Sequence, residues 1–545
     1  MIWLLGDFDF LSVVLRALTL GLELLTLGAV AYLLIVAMPA RAGESVIAAC
    51  WRAIRWSAAG FALVELCYVA CDSAILMGSS SLSFGDVVGA RYFLAGACAA
   101  IAASAIVVCT WWRARSSRDS RTSAYALIPL AALVLLAVVS TSHSVSRMDH
   151  RILLTVLTGA HQLGAALWIG AMPFLLISLK RSQDREEAKR LLLRFSPLAL
   201  VGAGTLLLGG LGMGWLYLGV STDKSLSSVY GTAYGVMMLS KVYLFLVVTA
   251  MGAGNFFLLR RIDTAPVSLL TRLRRFGEAE IGFGFMAVLA AASMTSQPPA
   301  IDLQTGRASL PEIVERFHPV VPRMTSPVYA ALAPTVPLDV AVKQTQFNVA
   351  APPSDANGRA WSEYNHHWSG LIVLAAGLLA LLSRLPKARW ARNWPLVFIA
   401  LAVFILLRGD PECWPLGTRP FWASMVVPDI MQHRFYALLI LAFAVFEWGN
   451  QTGRWHARWA SMVFPLLCAG GGALLLTHNH TLGNVKEELL AEMSHTPIAL
   501  LGATAGWGRW LELRLPGSKQ SRFASYIWPI CLILVGLVLL DYRES

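Results

Sequence analysis

"LSVVLRALTLGLELLTLGAVAYLLIVAM" (residues 11–38) carries only two charged side chains, Arg16 and Glu23, in an otherwise apolar run. A helix needs about 20 apolar residues to cross a hydrocarbon core of about 30 Å. In that medium every backbone N–H and C=O must be satisfied within the chain, which selects helix for a continuous apolar run. The run does not alternate polar and apolar residues, so a β-barrel strand is excluded. The preceding "MIWLLGDFDF" has no basic stretch, and the run is longer than a signal-peptide core. An uncleaved first transmembrane helix is therefore expected.

The same pattern recurs along all 545 residues, of which 57% are hydrophobic and 14% charged. A soluble chain carries roughly a quarter charged residues. The apolar runs predict an all-α polytopic membrane protein of about fourteen spans. They lie near 11–38, 54–78, 86–112, 125–142, 152–178, 196–220, 235–259, 278–297, 367–383, 395–408, 433–449, 461–478, 495–513 and 524–541. Basic clusters follow the odd-numbered spans from the third onward: Arg113 to Arg121, Lys180 to Arg194, Arg260 to Arg275, Arg384 to Arg392, Arg454 with Arg458, and Arg514 to Arg522. Cytoplasmic loops are the basic ones, so both termini are expected outside. The net charge of +12 is then a topology signal, with no nucleic-acid partner implied. Membrane lipid is the surrounding partner. Three parts are expected: an eight-helix block over 1–297, a Pro-, Ser- and Ala-rich outer loop or linker over 298–366, and a six-helix block over 367–545.

Histidine marks the candidate site. Of eleven histidines, His456 alone falls on the expected cytoplasmic side. His366 and His367 open the ninth span, His433 opens the eleventh, His478 and His480 close the twelfth, and His495 opens the thirteenth. Neutral imidazole is the commonest metal ligand and suits Cu, Zn, Fe and Ni. A lone histidine at a helix end is usually a solvated interfacial residue, but six at one membrane level form a candidate metal site. The segment "LGNVKEELLAEMS" spaces Leu482, Val485, Leu489 and Met493 as one apolar face, and so reads as an interfacial helix that returns His495 toward His478. Glu487, Glu488 and Glu492 add negative charge nearby.

Charges inside apolar runs are a second signal, because at helix centre each costs about 2.5–3.5 kcal/mol on insertion scales. Arg16, Glu23, Glu65, Asp72, Arg91, Lys241 and Glu280 are such residues. Structural pairing, of Arg16 with Glu23 or Lys241 with Glu280, accounts for them as well as a pathway does. Cys67 and Cys71 share a helix face; soft sulfur suits Cu(I), although a buried pair is more often packing. The eight cysteines show no CxxC spacing. No GxxxxGK[ST], DKTG or CxxCH motif occurs, which leaves no ATP-driven machinery and no covalent haem. No soluble catalytic domain is evident, so a transporter or metal-binding membrane protein is favoured over an enzyme.

Four motifs in register carry a family resemblance: "GAHQLGAALWIGAMPFLL" (159–176), "LRFSPLALVGAGTLLLGG" (193–210), "YGTAYGVMMLSKVYLFLVVTAMGAGNFFLLRR" (230–261) and "RRFGEAEIGFGFMAVLAAASMTSQPPA" (274–300). Over about 150–300 the chain resembles the copper resistance protein D family, with His161, Trp168, Gly170, Tyr234, Gly235, Lys241, Asn255 and Glu280 at matching positions. "WSEYNHHWSGL", "DPECWPLG", "MQHRFYALL", "LLLTHNH" and "SHTPIALLGATAGWGRWLELRL" resemble a C-terminal extension of longer bacterial copper-resistance proteins. "MQHRF" is also similar to membrane proteins that load copper into cytochrome oxidase.

The resemblance implies copper, as Cu(I) or Cu(II), handled in the bacterial inner membrane and received from a soluble periplasmic carrier. On that reading His366, His367, His433, His478, His480 and His495 capture the ion. His161, Lys241, Glu280, Cys67 and Cys71 then belong to the passage or its scaffold. Two rivals remain open. Histidines on facing helices could ligate haem b in a membrane oxidoreductase, or the chain could be a copper chaperone or assembly factor that moves nothing across the membrane.

Overall fold

The computed structural model describes residues 8–80, 82–115, 120–220, 226–260, 268–295, 297–303, 305–328, 332, 356–476 and 485–544. Long helices dominate: α1 (Leu11–Ala37), α2 (Glu44–Ser80), α3 (Arg91–Arg115), α4 (Arg121–Ser140), α5 (Arg151–Arg181), α6 (Arg185–Tyr217), α7 (Ala233–Leu259) and α8 (Ser268–Thr295). They continue as α9 (Ala356–Leu382), α10 (Arg389–Arg408), α11 (Pro428–Gln451), α12 (Ala460–Leu475), α13 (Val485–Arg514) and α14 (Lys519–Leu540). Among the described residues there is no strand, only an isolated bridge between Cys413 and Arg419. The protein is an all-α polytopic membrane protein, as composition predicts.

Twelve helices among the described residues are long and apolar enough to cross a membrane. Of the other two expected spans, α12 is apolar but has 16 residues, and the last lies in the C-terminal part of α13. That helix corrects one expectation. Val485–Arg514 is a single helix of 30 residues, not an interfacial segment followed by a separate span. Leu489 and Met493 do share a buried face, packed with Ala233, Val236, Ala308 and Ile313. The ninth helix also begins earlier than expected, at Ala356, so His366 and His367 lie within it rather than at its tip.

The chain divides into two compact units. One comprises Leu11–Lys224 and Lys241–Ile301; the other comprises Met1–Phe10, Ser225–Ser240 and Asp302–Ser545. In the first, glycine permits near backbone-to-backbone contact. A Cβ on Gly28 of α1 would stand 2.2 Å from the carbonyl carbon of Gly170, and one on Gly170 would stand 2.1 Å from the Leu24 carbonyl oxygen. Gly164 of α5 and Gly202 of α6 meet in the same way. In lipid, where helix association lacks a hydrophobic drive, such close van der Waals contact between small residues is the main source of affinity. Gly170 ends a π turn, Ala166–Gly170, which places Trp168 edge-on to Phe245 at 6.0 Å. On the loops, buried Glu187 accepts from the backbone N–H groups of Gly43 (2.7 Å) and Gln183 (2.8 Å).

The second unit packs α9 against α14 through Gly370, Gly377 and Gly536, and α12 against α13 through Gly472 and Gly506. Its core is aromatic: Trp394, Phe398, Phe443, Phe464 and Trp528 interlock, with the two indoles 5.2 Å apart. Edge-to-face contacts of this kind add about 0.5–1.5 kcal/mol each beyond area burial.

Overpacking a tight contact costs typically about 1–3 kcal/mol, and at Gly28 it is backbone that must yield. Gly28→Ala is expected to lower the thermal unfolding midpoint in detergent. Gly204→Ala, where a Cβ meets nothing within 4 Å, is expected to leave the midpoint unchanged or raise it slightly.

Candidate functional site

In the second unit a buried ion network fixes one end of four helices. Glu512 of α13 accepts from Arg384 in the turn after α9 (2.5 Å), from Arg509 one turn before it (2.7 Å) and from the Trp528 indole of α14 (2.7 Å). Arg509 also donates to Glu447 of α11 at 2.8 Å, and Gln451 adds a second donor to Glu447 at 2.7 Å. The Arg509 and Glu447 side chains are 6% and 0% exposed. The charges balance, two guanidinium groups against two carboxylates. Positive-inside patterning explains Arg384 without requiring the other members, so sequence reasoning missed the network.

At the opposite ends of the same helices lie the histidines. Neighbours on a helix point about 100° apart, and His366 and His367 accordingly separate. His367 is buried and both its ring nitrogens serve the backbone: Nδ1 accepts from the Arg323 N–H (2.7 Å), and Nε2 donates to the Tyr542 carbonyl (2.8 Å). With no lone pair left over, His367 as placed is a strut holding the 320s segment and the C-terminal tail to α9. His366 differs. Its Nδ1 donates to the Ser362 carbonyl at 2.8 Å, which leaves the Nε2 lone pair available.

His366 stacks on the Tyr542 ring at 3.7 Å and 18°, and meets the His495 ring edge-on at 5.9 Å; His495 lies 5.9 Å from Tyr542. The tail residues Tyr542 and Glu544 complete the cluster. The Tyr542 hydroxyl donates to Glu544 at 2.9 Å, and the Ser362 hydroxyl also donates to Glu544. Burial first, then the Glu544 charge, push the Tyr542 phenol well above its usual range, so it stays neutral. His433 is held at Nδ1 by Asp410 (2.8 Å) and lies within electrostatic range of His366. His478 and His480, and the side chains of Glu487 and Glu488, lie outside the described residues. Glu492 is buried. The structure thus brings His366 and His495 together, with His433 nearby, and adds Tyr542, Glu544 and Asp410. The stretch "LLDYRES" carries no mark of such a role, since the contact is long-range. Among the described residues no three His, Cys, Asp or Glu side chains gather as a ready-made ligand set.

In the first unit His161 donates at Nδ1 to the Leu206 carbonyl (2.8 Å), and Gly209 and Gly210 of α6 pass so close that added Cβ atoms would lie 3.0–3.1 Å from it. Lys241 is an electrostatic neighbour of His161. Glu280 is buried and takes its hydrogen bond from the Asn255 amide, not from Lys241. Gly252 lies against both Glu280 and Trp168, 3.5 Å from each by its added Cβ. Cys71 is buried and Cys67 exposed, and both are free thiols.

Residues 189–294 match the family described as copper resistance protein D. The chain is also 32% identical, over 141 residues, to the copper transport protein CutJ of Bacillus subtilis (strain 168). That alignment covers 25% of this chain and 24% of the relative, so the chain spans about a quarter of that protein's length. No solved structure matches. The family match falls within the 150–300 stretch where the resemblance was expected.

Leaving a buried donor or acceptor unpaired costs about 1–3 kcal/mol. His367→Ala strands both the Arg323 N–H and the Tyr542 carbonyl, and is expected to lower the unfolding midpoint measurably. His366→Ala, which loses one bond within its own helix, is expected to lower it less. Thermal melts of the two variants side by side check this.

Proposed function

Taking this chain as a member of the copper resistance protein D family, we propose that it binds copper at the His366–His495 cluster and carries it inward across the bacterial inner membrane. The observation that carries the reading is the meeting of these two imidazoles, from α9 and α13, beside the neutral phenol of Tyr542. Ligand nitrogens sit about 2 Å from a bound transition metal, so ring centroids 5.9 Å apart suit two imidazoles sharing one ion. His433, His478 and His480 are the natural further donors. His367 would position the site without ligating.

The charge pattern supports an inward direction. With the basic loops cytoplasmic, the N-terminal end of α9 faces the periplasm, where a soluble copper carrier would deliver the ion. Each positive charge moving inward gains about 2.3 kcal/mol per 100 mV of inside-negative potential, so import requires no ATP. The first unit, with His161, Lys241 and the Asn255–Glu280 pair, would form part of the passage.

The test is copper analysis and uptake with the purified chain in proteoliposomes. Wild type is expected to bind copper stoichiometrically, and His366→Ala/His495→Ala to bind at least about tenfold more weakly, at or beyond the range seen when outer-shell partners are lost. Binding should weaken as pH falls, because an imidazole must shed its proton to ligate. An intense Soret band at stoichiometric level would instead establish the haem reading. Binding without uptake would leave a chaperone or assembly factor.

A further inference from the structure

Arg16 and Glu23 of α1 are seven residues apart, as are Glu65 and Asp72 of α2. Seven residues make nearly two turns, about 10 Å along the axis, and return to the same face. Consecutive helices run antiparallel here, so the two pairs form facing ladders with two levels. At the level nearer the C-terminal end of α2 stand Arg16, Tyr68 and Asp72; Arg16 lies 5.8 Å over the Tyr68 ring, and Tyr68 reaches Asp72 with its hydroxyl. At the deeper level stand Glu23 and Glu65, electrostatic neighbours of each other.

The deeper level is the unusual one. Glu23 is 0% exposed and Glu65 3%. Among the described residues neither Glu23 carboxyl oxygen has a hydrogen-bond partner, nor does Glu65 Oε2. The remaining Glu65 oxygen points toward α3, where Gly96 leaves room: a Cβ there would come within 3.1 Å of it. The other titratable side chains near the ladder are Cys67 and Cys71 on α2 and Tyr92 on α3, which bonds Ser73 at 3.1 Å. From α8 come Phe285 against Gly21, and Leu289 and Ala292 against Val13 and Ala17. Arg16, 8% exposed, is the cation in range of Glu23, Glu65 and Asp72 alike. One guanidinium cannot balance three carboxylates. An isolated buried carboxylate is so costly that it takes a proton instead, and two that face each other without a cation between them share one.

We propose that Glu23 and Glu65 form a proton-binding site inside the membrane-spanning bundle, with Tyr68 and Asp72 as its route toward the surface and Arg16 as its fixed counter-charge. Tyr68 is one turn from each of Glu65 and Asp72, so its hydroxyl can accept a proton on one side while donating on the other. The steps make and break O–H bonds only, and no electron moves. Asp72 is half-buried, which gives the route a wetter end. The site stands whether or not copper is the cargo, and gives the chain a second ion with which to couple a conformational change.

Infrared spectroscopy of the full-length purified protein at neutral pH tests it. Wild type should show a protonated-carboxyl C=O band that shifts in D2O. In Glu23→Gln a component of that band should be lost, in Glu23→Asp it should return at altered frequency, and the exposed Glu186→Gln should match wild type. Glu65→Gln, at the same level, provides an independent variant with the same expected loss. Acid–base titration should then count about one proton fewer per chain for the double Gln variant. Wild-type spectra and an equal proton count in both Glu23→Gln and Glu65→Gln would overturn the proposal.

Discussion

Glu512 is the node on which the second unit depends. Three donors, from α13, α14 and the turn after α9, converge on its carboxylate, and one of them, Arg509, extends the network to α11 through Glu447. A charge buried alone in such surroundings would be prohibitive, and removing one partner of a buried pair costs about 3–5 kcal/mol. The network therefore permits one register among α9, α11, α13 and α14. Helices are stiff, so fixing their inner ends also fixes which residues meet at the far ends. His366, His433 and His495 come from α9, α11 and α13, and Tyr542 from the tail that follows α14. The aromatic core of Trp394, Phe464 and Trp528 lies along the same helices and transmits that register by close packing.

The first unit reaches precision by a different route. Its contacts rest on glycines that let backbones touch, at Gly28 with Gly170 and at Gly164 with Gly202. Once helices are that close, polar side chains between them find partners inside the protein. His161 uses the Leu206 carbonyl and Glu280 uses Asn255. The π turn at Ala166–Gly170 belongs to the same economy of space, since one extra residue per turn re-aims Trp168 toward Phe245.

Legibility in the sequence followed the range of the interaction. Apolar run length is local, and the apolar middle of the long helices was read from it, while several of their ends lie well beyond the apolar run. The role of His366 and His367 was only half readable. Their adjacency invites assignment to one ion, yet a helix turns them about 100° apart and hands His367 to the Arg323 and Tyr542 backbone. Leu489 and Met493 gave the apolar face of their helix correctly, while its continuity through Pro497 overrode the expected break. Tyr542 and Glu544 were invisible because nothing local marks a residue that matters through a partner more than a hundred positions away, and Asp410 because its partner His433 lies on another element 23 positions on. The pairing of Lys241 with Glu280 was equally plausible from charge alone, and Asn255 takes that place.

What the second-unit cluster can do chemically follows from how its donors are held. A ligand imidazole is normally fixed by a hydrogen bond at its other nitrogen, which sets the tautomer and raises the basicity of the free one. His366 has that arrangement through the Ser362 carbonyl, and His433 has it more strongly through Asp410, whose negative charge favours a cation beside the ring. Tyr542 contributes a neutral phenol and a flat stacking surface, so it shapes the pocket without adding charge. Imidazoles without thiolates suit an ion that must be released again, because cargo held as tightly as a structural metal would not leave. The tail that carries Tyr542 is tied to α9 by His367 and Ser362, to the 315–320 segment by Arg543 and Asp541, and closes over His366. An ion bound at the free edge of His366 would therefore sit beside a segment that side-chain contacts from α9 and the 315–320 segment hold over it.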